Sequence, residues 1–418
     1  MKTIYTLGRL SFLVALAWGL APTAHGAVYV QCPGDNNGDA VIDTPDPDHP
    51  NATCMHLSGG DGFVTMADGY LQYIFGFADL TGTPPAAAMD AGMLAANFPA
   101  PTIALKEGQE FYLSLTNAGM VIRPDLFDPH TVHFHGFPQA APVFDGMPEG
   151  SIAINMGSTI TYYYNILEPG TFMYHCHMEA TEHMQMGMLG NLYVDPLQNR
   201  TGVGGTLAAP DVSTVAAKEG GAGPTGYVYN DGDGTTAFDV EIPIQLGSFD
   251  PAFHDASYTV QPLPFAEMRD TYPMMNGRGY PDTVNPASLP PPVDPDGELV
   301  NGGKVSQPVS TVVSASAGDR ILLRLSNLSV TNFYTVTALG LPMQVVGTGA
   351  HILRGPGGTE NLYYDTSSVT LGGGEAADVI VDTSGVAPGT YFLYTTNLNY
   401  LSNNTEDYGG MMTEIVIN

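Results

Sequence analysis

Phe111-Tyr112-Leu113-Ser114-Leu115 stands between the turn signal Lys106-Glu107-Gly108 and Asn117, a short run of strand-forming side chains with no helical period. Arg320-Ile321-Leu322-Leu323-Arg324-Leu325 repeats the design between Ala317-Gly318-Asp319 and Asn327. Elsewhere too the apolar residues come in short runs, punctuated by many of the 50 Gly and 33 Pro. Turn signals at this spacing predict an all-β protein built of sandwiches. A Gly-, Ala-, Thr- and Pro-rich stretch from about Asp195 to Asp233 reads as a connector, and a Pro-rich loop from Pro286 to Gly303 interrupts the later half.

The two quoted runs belong to a longer repeat. HTVHFHG at 130–136 meets YTVTALG at 334–340, keeping Thr-Val and the last Gly but no histidine. PGTFMYHCH at 169–177 meets PGTYFLYTTN at 388–397, keeping the turn and the aromatic strand but losing His-Cys-His. Three matches in the same order point to duplication. Two sandwiches of one type are expected, with chemistry in the first only.

The chain has 418 residues, enough for two or three domains, each with its own core. With 44% hydrophobic residues it is too apolar for disorder. Its 42 acidic against 12 basic residues give a formal charge of -30, which repels phosphate backbones and anionic lipid and so argues against a nucleic-acid partner. Lys2 and Arg9 precede the apolar run Leu10 to Leu20, and small residues follow through Ala27, in the order of a secretory signal. The run is too short for a bilayer-spanning helix of about 20 residues, so export without membrane insertion is expected, to periplasm, extracellular space or cell surface. Of three cysteines, Cys32 and Cys54 flank one polar loop and are expected to pair, which leaves Cys176 free or liganded.

Six of the 11 histidines, His130, His133, His135, His175, His177 and His183, cluster with Cys176. A strand sends alternate side chains to opposite faces, so His133 and His135 share a face, and His175 and His177 share a face that Cys176 does not. Cys176 then has imidazole candidates in His130 and His183 and a thioether in Met188. His2Cys with a weak Met is the ligand set of a blue-copper site, because thiolate and thioether suit Cu(I) and imidazole tolerates both oxidation states. Zinc also takes Cys and His, but a closed tetrahedral zinc site has no use for the methionine. The four remaining imidazoles offer a second copper site, joined to the first through the bonds on either side of Cys176.

At these residues the sequence resembles the multicopper oxidases. HTVHFHG is similar to the family's HxxHxHG motif, and HCHMEATEHMQMGM at 175–188 to its HCHxxxHxxxxM motif, with five residues rather than three between His177 and His183. FHGFPQAAPVFDGMP at 134–148 resembles the segment after the family's first HxH. MMNGRGYPDT at 274–283 and the run Leu341 to Val381 resemble its copper-free middle domain. The resemblance implies two cupredoxin-like Greek-key sandwiches. The chain is expected to divide into a signal peptide at 1–27, an acidic Cys-flanked segment at 28–60, a copper-bearing domain at 61–196, a linker at 197–236 and a copper-free domain at 237–418. It also implies type 1 copper on His130, Cys176, His183 and Met188, and type 2 and type 3 copper on His133, His135, His175 and His177, which would be the catalytic set. A small reductant, a metal ion or a phenol, would give electrons to type 1 copper through the His183 edge, if that edge lies at the surface, and dioxygen would be reduced at the second site.

The family's trinuclear cluster takes four His-x-His pairs and this chain has two, with His254 and His351 in no such pair. A homo-oligomer bringing first domains together is therefore expected. Two alternatives stand beside the oxidase. One is an enzyme similar to copper nitrite reductases, since His130 and His135 match their HxxxxH, although His133 stands where they carry Asp and Thr396 near where a neighbour supplies histidine. The other is a non-enzymatic type 1 copper carrier. Finally, Asp35-Asn36-Asn37-Gly38-Asp39-Ala40-Val41-Ile42-Asp43 resembles a calcium loop with Asp35, Asn37, Asp39 and Asp43 at ligand positions, against the plainer reading of a disulfide-tied acidic turn.

Overall fold

A computed structural model describes residues 28–137, 140–201 and 226–418. The expected signal at 1–27 and residues 202–225 of the expected linker lie outside the described residues. Strand accounts for 39% and helix for 11%, which agrees with the all-β expectation. Eight strands form the first sandwich: β1 (Ala52–Thr65), β2 (Leu71–Asp79), β3 (Ala100–Lys106), β4 (Glu110–Gly119), β5 (His133–His135), β6 (Thr159–Asn165), β7 (Gly170–His175) and β8 (Leu189–Asp195). One sheet has the order β2-β1-β4-β6 and the other β3-β8-β7-β5. β1 begins at Ala52, so the first sandwich starts within the segment assigned above to 28–60. The Cys32–Cys54 disulfide ties that segment to the start of β1.

Alternation builds the core. Phe111, Leu113 and Leu115 share one face of β4 and are buried against the opposite sheet, where Phe134 stacks on Phe111 and, at 4.2 Å between centroids, on Tyr164. Each such side chain contributes about 1.5–3 kcal/mol by leaving water.

The second sandwich repeats the plan. Val240–Phe249 runs parallel beside Arg320–Asn327 as β1 runs beside β4. Val313–Ala315 runs parallel beside Met412–Ile417 as β3 beside β8. Tyr334–Ala338 is antiparallel to Gly389–Thr395 as β5 is to β7. Even the strand-end asparagines act alike: Asn117 Nδ2 donates to the carbonyls of Asp128 and Ile154, and Asn327 Nδ2 to those of Asn332 and Leu371.

A buried ion cluster joins the halves. Arg324, fully buried, hydrogen-bonds Glu241 and lies 3.4 Å from Asp378 and 3.6 Å from Asp195 at the end of β8. Asp378 also accepts from Thr171 on β7 at 2.5 Å and from Tyr229 at 2.6 Å. Among the described residues no helix is long and apolar enough to cross a membrane.

Candidate metal centre

β5 and β7 pair so that His133 faces His175 and His135 faces Met173. β7 ends at His175, and the next residue, Cys176, turns to the opposite side. There its sulfur, buried and unpaired, lies 3.1 Å from Nδ1 of His183 and 3.9 Å from Nδ1 of His130. Donor atoms from these three residues all fall within 4.8 Å of one another. The Thr131 N–H points at the sulfur from 3.5 Å.

Met188 completes this group through the backbone. Its N–H donates to the His183 carbonyl at 2.8 Å and its carbonyl accepts from the Cys176 N–H at 3.0 Å. Its methyl lies beside the His130 ring at Gly59, where a Cβ would stand 2.8 Å from His130 Cδ2 and 3.3 Å from Met188 Cε. Gly59 thus leaves the room that both side chains occupy, a role that no motif in the sequence signals.

His183 sits in the last turn of the short helix Ala180–Gln185. Against the expectation of a surface edge, its side chain is fully buried, covered by Phe75 and by Asp128, whose Oδ2 is 3.8 Å from Nε2. The longer loop between His177 and His183 forms the helix that carries the ring inward. Burial opposes charge on His183, but the Cys176 thiolate and Asp128 outweigh it and push its pKa up to about 10. His130, wholly buried beside His183, is pushed well down.

On the other face His133, His135, His175 and His177 form an open ring. His133 lies 5.3 Å from His175, 5.1 Å from His177 and 6.0 Å from His135 between centroids, and His175 lies 5.4 Å from His177. A carbonyl can only accept, so Nδ1 of His133 donates to Asp145 O at 2.5 Å and Nδ1 of His175 to Cys176 O at 2.9 Å. Nδ1 of each ring is thereby engaged as a donor, which leaves Nε2 as the nitrogen that would bind metal. Burial holds His175 neutral, with its pKa down to about 3, and lowers that of His135. His135 and His175 line a cavity of about 330 Å³ whose far wall is the second-sandwich loop through Ser329 and Phe333 and the backbone of Gly373 and Gly374. Both donor sets fit copper: one soft and buried, the other built of imidazoles.

Residues 83–199 match the family described as Multicopper oxidase, and residues 267–416 match it again. The chain belongs to the multicopper oxidase family. Other family members show partial likeness. An L-ascorbate oxidase of Cucurbita pepo var. melopepo is 37% identical over 109 residues, 25% of this chain and 18% of that protein. Laccase abr2 of Aspergillus fumigatus is 32% identical over 122 residues, 29% of this chain and 19% of that protein. The matched stretches thus span about a fifth of these curated relatives. Among solved structures the blue copper oxidase of Nitrosomonas europaea superposes with a TM-score of 0.59 at 20% identity, covering 88% of this chain and 86% of that one. A copper nitrite reductase of the same organism superposes with a TM-score of 0.54 at 15% identity, covering 88% and 94%. At these identities the multicopper oxidase and the reductase share the cupredoxin fold with this chain, and no more is drawn from them.

Among the described residues, His254 and His351 add nothing to the open ring. His254 is buried with Nδ1 2.6 Å from Tyr73 O and Nε2 2.9 Å from Gln185 O, while His351 is exposed near Glu168. Thr396 donates its N–H to Thr335 O within the second sandwich. In the acidic loop, Asp35 accepts from the N–H groups of Asn37, Gly38 and Ala40, Asp39 from Val41 and Asp43 from Asn36. Its own side chains hold the turn.

Proposed function

We propose that this multicopper oxidase family member is an exported oxidase that takes single electrons from a small reductant, a metal ion or a phenol, and delivers them to dioxygen. Copper, when bound, supplies the one-electron redox chemistry between the two substrates. His130, Cys176, His183 and Met188 would hold type 1 copper, and His133, His135, His175 and His177 the type 2 and type 3 copper. One observation carries the reading: Cys176 Sγ is 3.1 Å from His183 Nδ1 while its bonded neighbours His175 and His177 lie 5.3 and 5.1 Å from His133. A single backbone segment therefore links the two donor sets.

The residues divide the work. The Thr131 N–H holds the Cys176 sulfur in place, Gly59 admits His130 and Met188, and the carbonyls of Asp145 and Cys176 orient His133 and His175. Charge of -30 draws cationic reductants. The open imidazole ring, with two His-x-His pairs, supports a homo-oligomer in which a second copy completes the dioxygen site. Copper is the cofactor proposed first, and calcium on Asp35, Asn37, Asp39 and Asp43 is a second proposal. The signal-like N-terminus and the Cys32–Cys54 disulfide support export.

Elemental copper analysis, native mass and oxygen-electrode assays test this together. The expected result is more than one copper per chain, an even-numbered oligomer and dioxygen consumption with a reduced dye. One copper per chain with no oxygen uptake would leave only the carrier. The nitrite reductase reading is favoured by one feature, that His135 and His175 face the same cavity. Nitrite turnover by the same protein without oxygen uptake would establish it instead.

A further inference from the structure

The helix Ala180–Gln185 sends three successive side chains to three places. His183 turns to the Cys176 sulfur, Met184 lines the cavity that also holds His135 and His175, and Gln185 reaches the second half of the chain. Six residues are too few for a helix to hold its own shape in water, and among the described residues no side chain caps its start at Glu179. Its place is therefore set by what grips it. From the first sandwich the Phe75 N–H donates to the Met186 carbonyl at 2.9 Å. From the second half, buried Gln185 is met twice: its carbonyl lies 2.9 Å from His254 Nε2, and its own Nε2 donates to Asp270 Oδ1 at 3.2 Å.

Asp270 stands just ahead of the strand Tyr272–Met275. Its other oxygen accepts from Thr331 Oγ1 at 2.5 Å and from Ser248 Oγ. Thr331 lines the far wall of the cavity, as does Ser329, whose Oγ is 3.1 Å from that of Ser248. Donors from three separate segments thus converge on one carboxylate, whose two oxygens can accept from all of them.

We propose that Asp270 is a positioning residue for both donor sets: through Gln185 it fixes the helix that carries His183, and through Thr331 it fixes the wall opposite His135 and His175. That His183 would hold copper rests on the copper oxidase reading; the clamp itself does not. A metal ligand serves only when held within about 0.5 Å of its productive place, and so short a helix cannot hold it there unaided. The second sandwich, which carries none of the proposed ligands, then supplies geometry to the first.

Amide hydrogen exchange on the full-length protein as purified tests the clamp, and the blue absorbance of the copper-loaded protein tests its consequence. Asp270→Ala is expected to speed exchange about tenfold at 180–188 and at 329–333, while 111–117 in the core of the first sandwich keeps the parental rate. The same variant is expected to shift the blue band and to release copper from the Cys176 centre about tenfold faster. Asp270→Asn is expected to restore both, because its Oδ1 can accept from Gln185 while its amide donates to the Ser248 and Thr331 oxygens. Thr331→Val cuts only the wall side and is expected to speed exchange at 180–188 as well, since both sides share one carboxylate.

Parental exchange at 180–188 in Asp270→Ala, or equal acceleration in all three segments, overturns the clamp. An unmoved blue band despite faster exchange overturns the positioning role. Parental exchange at 180–188 in Thr331→Val overturns the junction between the two sides. Should Asp270→Ala fail to fold, Gln185→Leu, which cuts only the helix side, decides the clamp by the same reading at 180–188. If no form of the protein turns blue, the copper reading falls and the exchange rates still decide what Asp270 holds.

Discussion

The imidazole of His135, from the first sandwich, rests against the backbone of Gly374 in the second. A Cβ there would stand 2.7 Å from His135 Cε1 and 3.0 Å from Nε2. Gly374 also has φ of +88°, which a side chain adopts only with strain. Gly374→Ala is expected to push His135 out of the imidazole ring and cut dioxygen reduction by about tenfold, the usual effect of disturbing a ligand's support. The blue absorbance of the Cys176 centre should persist. Paired absorbance and oxygen-uptake measurements check both halves of this expectation.

Gly59 makes the mirror-image case on the other face of the segment. Gly59→Ala is expected to crowd His130 and Met188, destabilise the fold by about 1–3 kcal/mol and shift the blue band, because the methionine contact tunes this kind of centre. Oxygen reduction would fall only through the first site. An unshifted spectrum with unchanged melting would refute the crowding argument.

His56 gives the protein a pH dependence unrelated to copper. It is fully buried, with Nε2 2.7 Å from Thr116 Oγ1, and burial lowers its pKa to about 4. The unfolded chain then binds a proton before the folded one does. Its contribution is therefore complete above about pH 6.5 and lost as pH falls towards 4, on the order of 3 kcal/mol in all. Urea unfolding of the parent and of His56→Gln, at neutral pH and near pH 4.5, should show a shallower acid loss in the variant.

Arg324→Met removes the guanidinium held among Glu241, Asp378 and Asp195 and leaves buried Asp378 without its cation. A loss of about 3–5 kcal/mol is expected, seen as a lowered melting temperature. Arg324→Lys should recover little of it, since an ammonium cannot reproduce the guanidinium's separate bonds to Glu241, Asp378 and Thr171.

The sequence made the chemistry legible because metal ligands in strands obey a two-residue period that spacing alone displays. His133, His135, His175, Cys176 and His177 could be sorted to faces before any coordinates, and the duplicated topology followed from three matched segments. Partners set by long-range packing could not be read. Gly59, Gly374 and Asp128 carry no motif, and their roles exist only because strands distant in sequence meet; Asp145 stands in a quoted segment that says nothing of its carbonyl's bond to His133. The burial of His183 went unread for a related reason. Two extra residues in a loop change its length visibly, but whether they lift the ring to the surface or fold it inward depends on what covers it, here Phe75 and Asp128.

β7 is held near its start by the second sandwich. Thr171, near its start, is bound to Asp378 of the second sandwich, and its far end supplies His175 next to Cys176. The histidine-poor half is thus a splint for the half that does chemistry. Denaturant or heat that merely prises the halves apart should silence both donor sets before either sandwich melts.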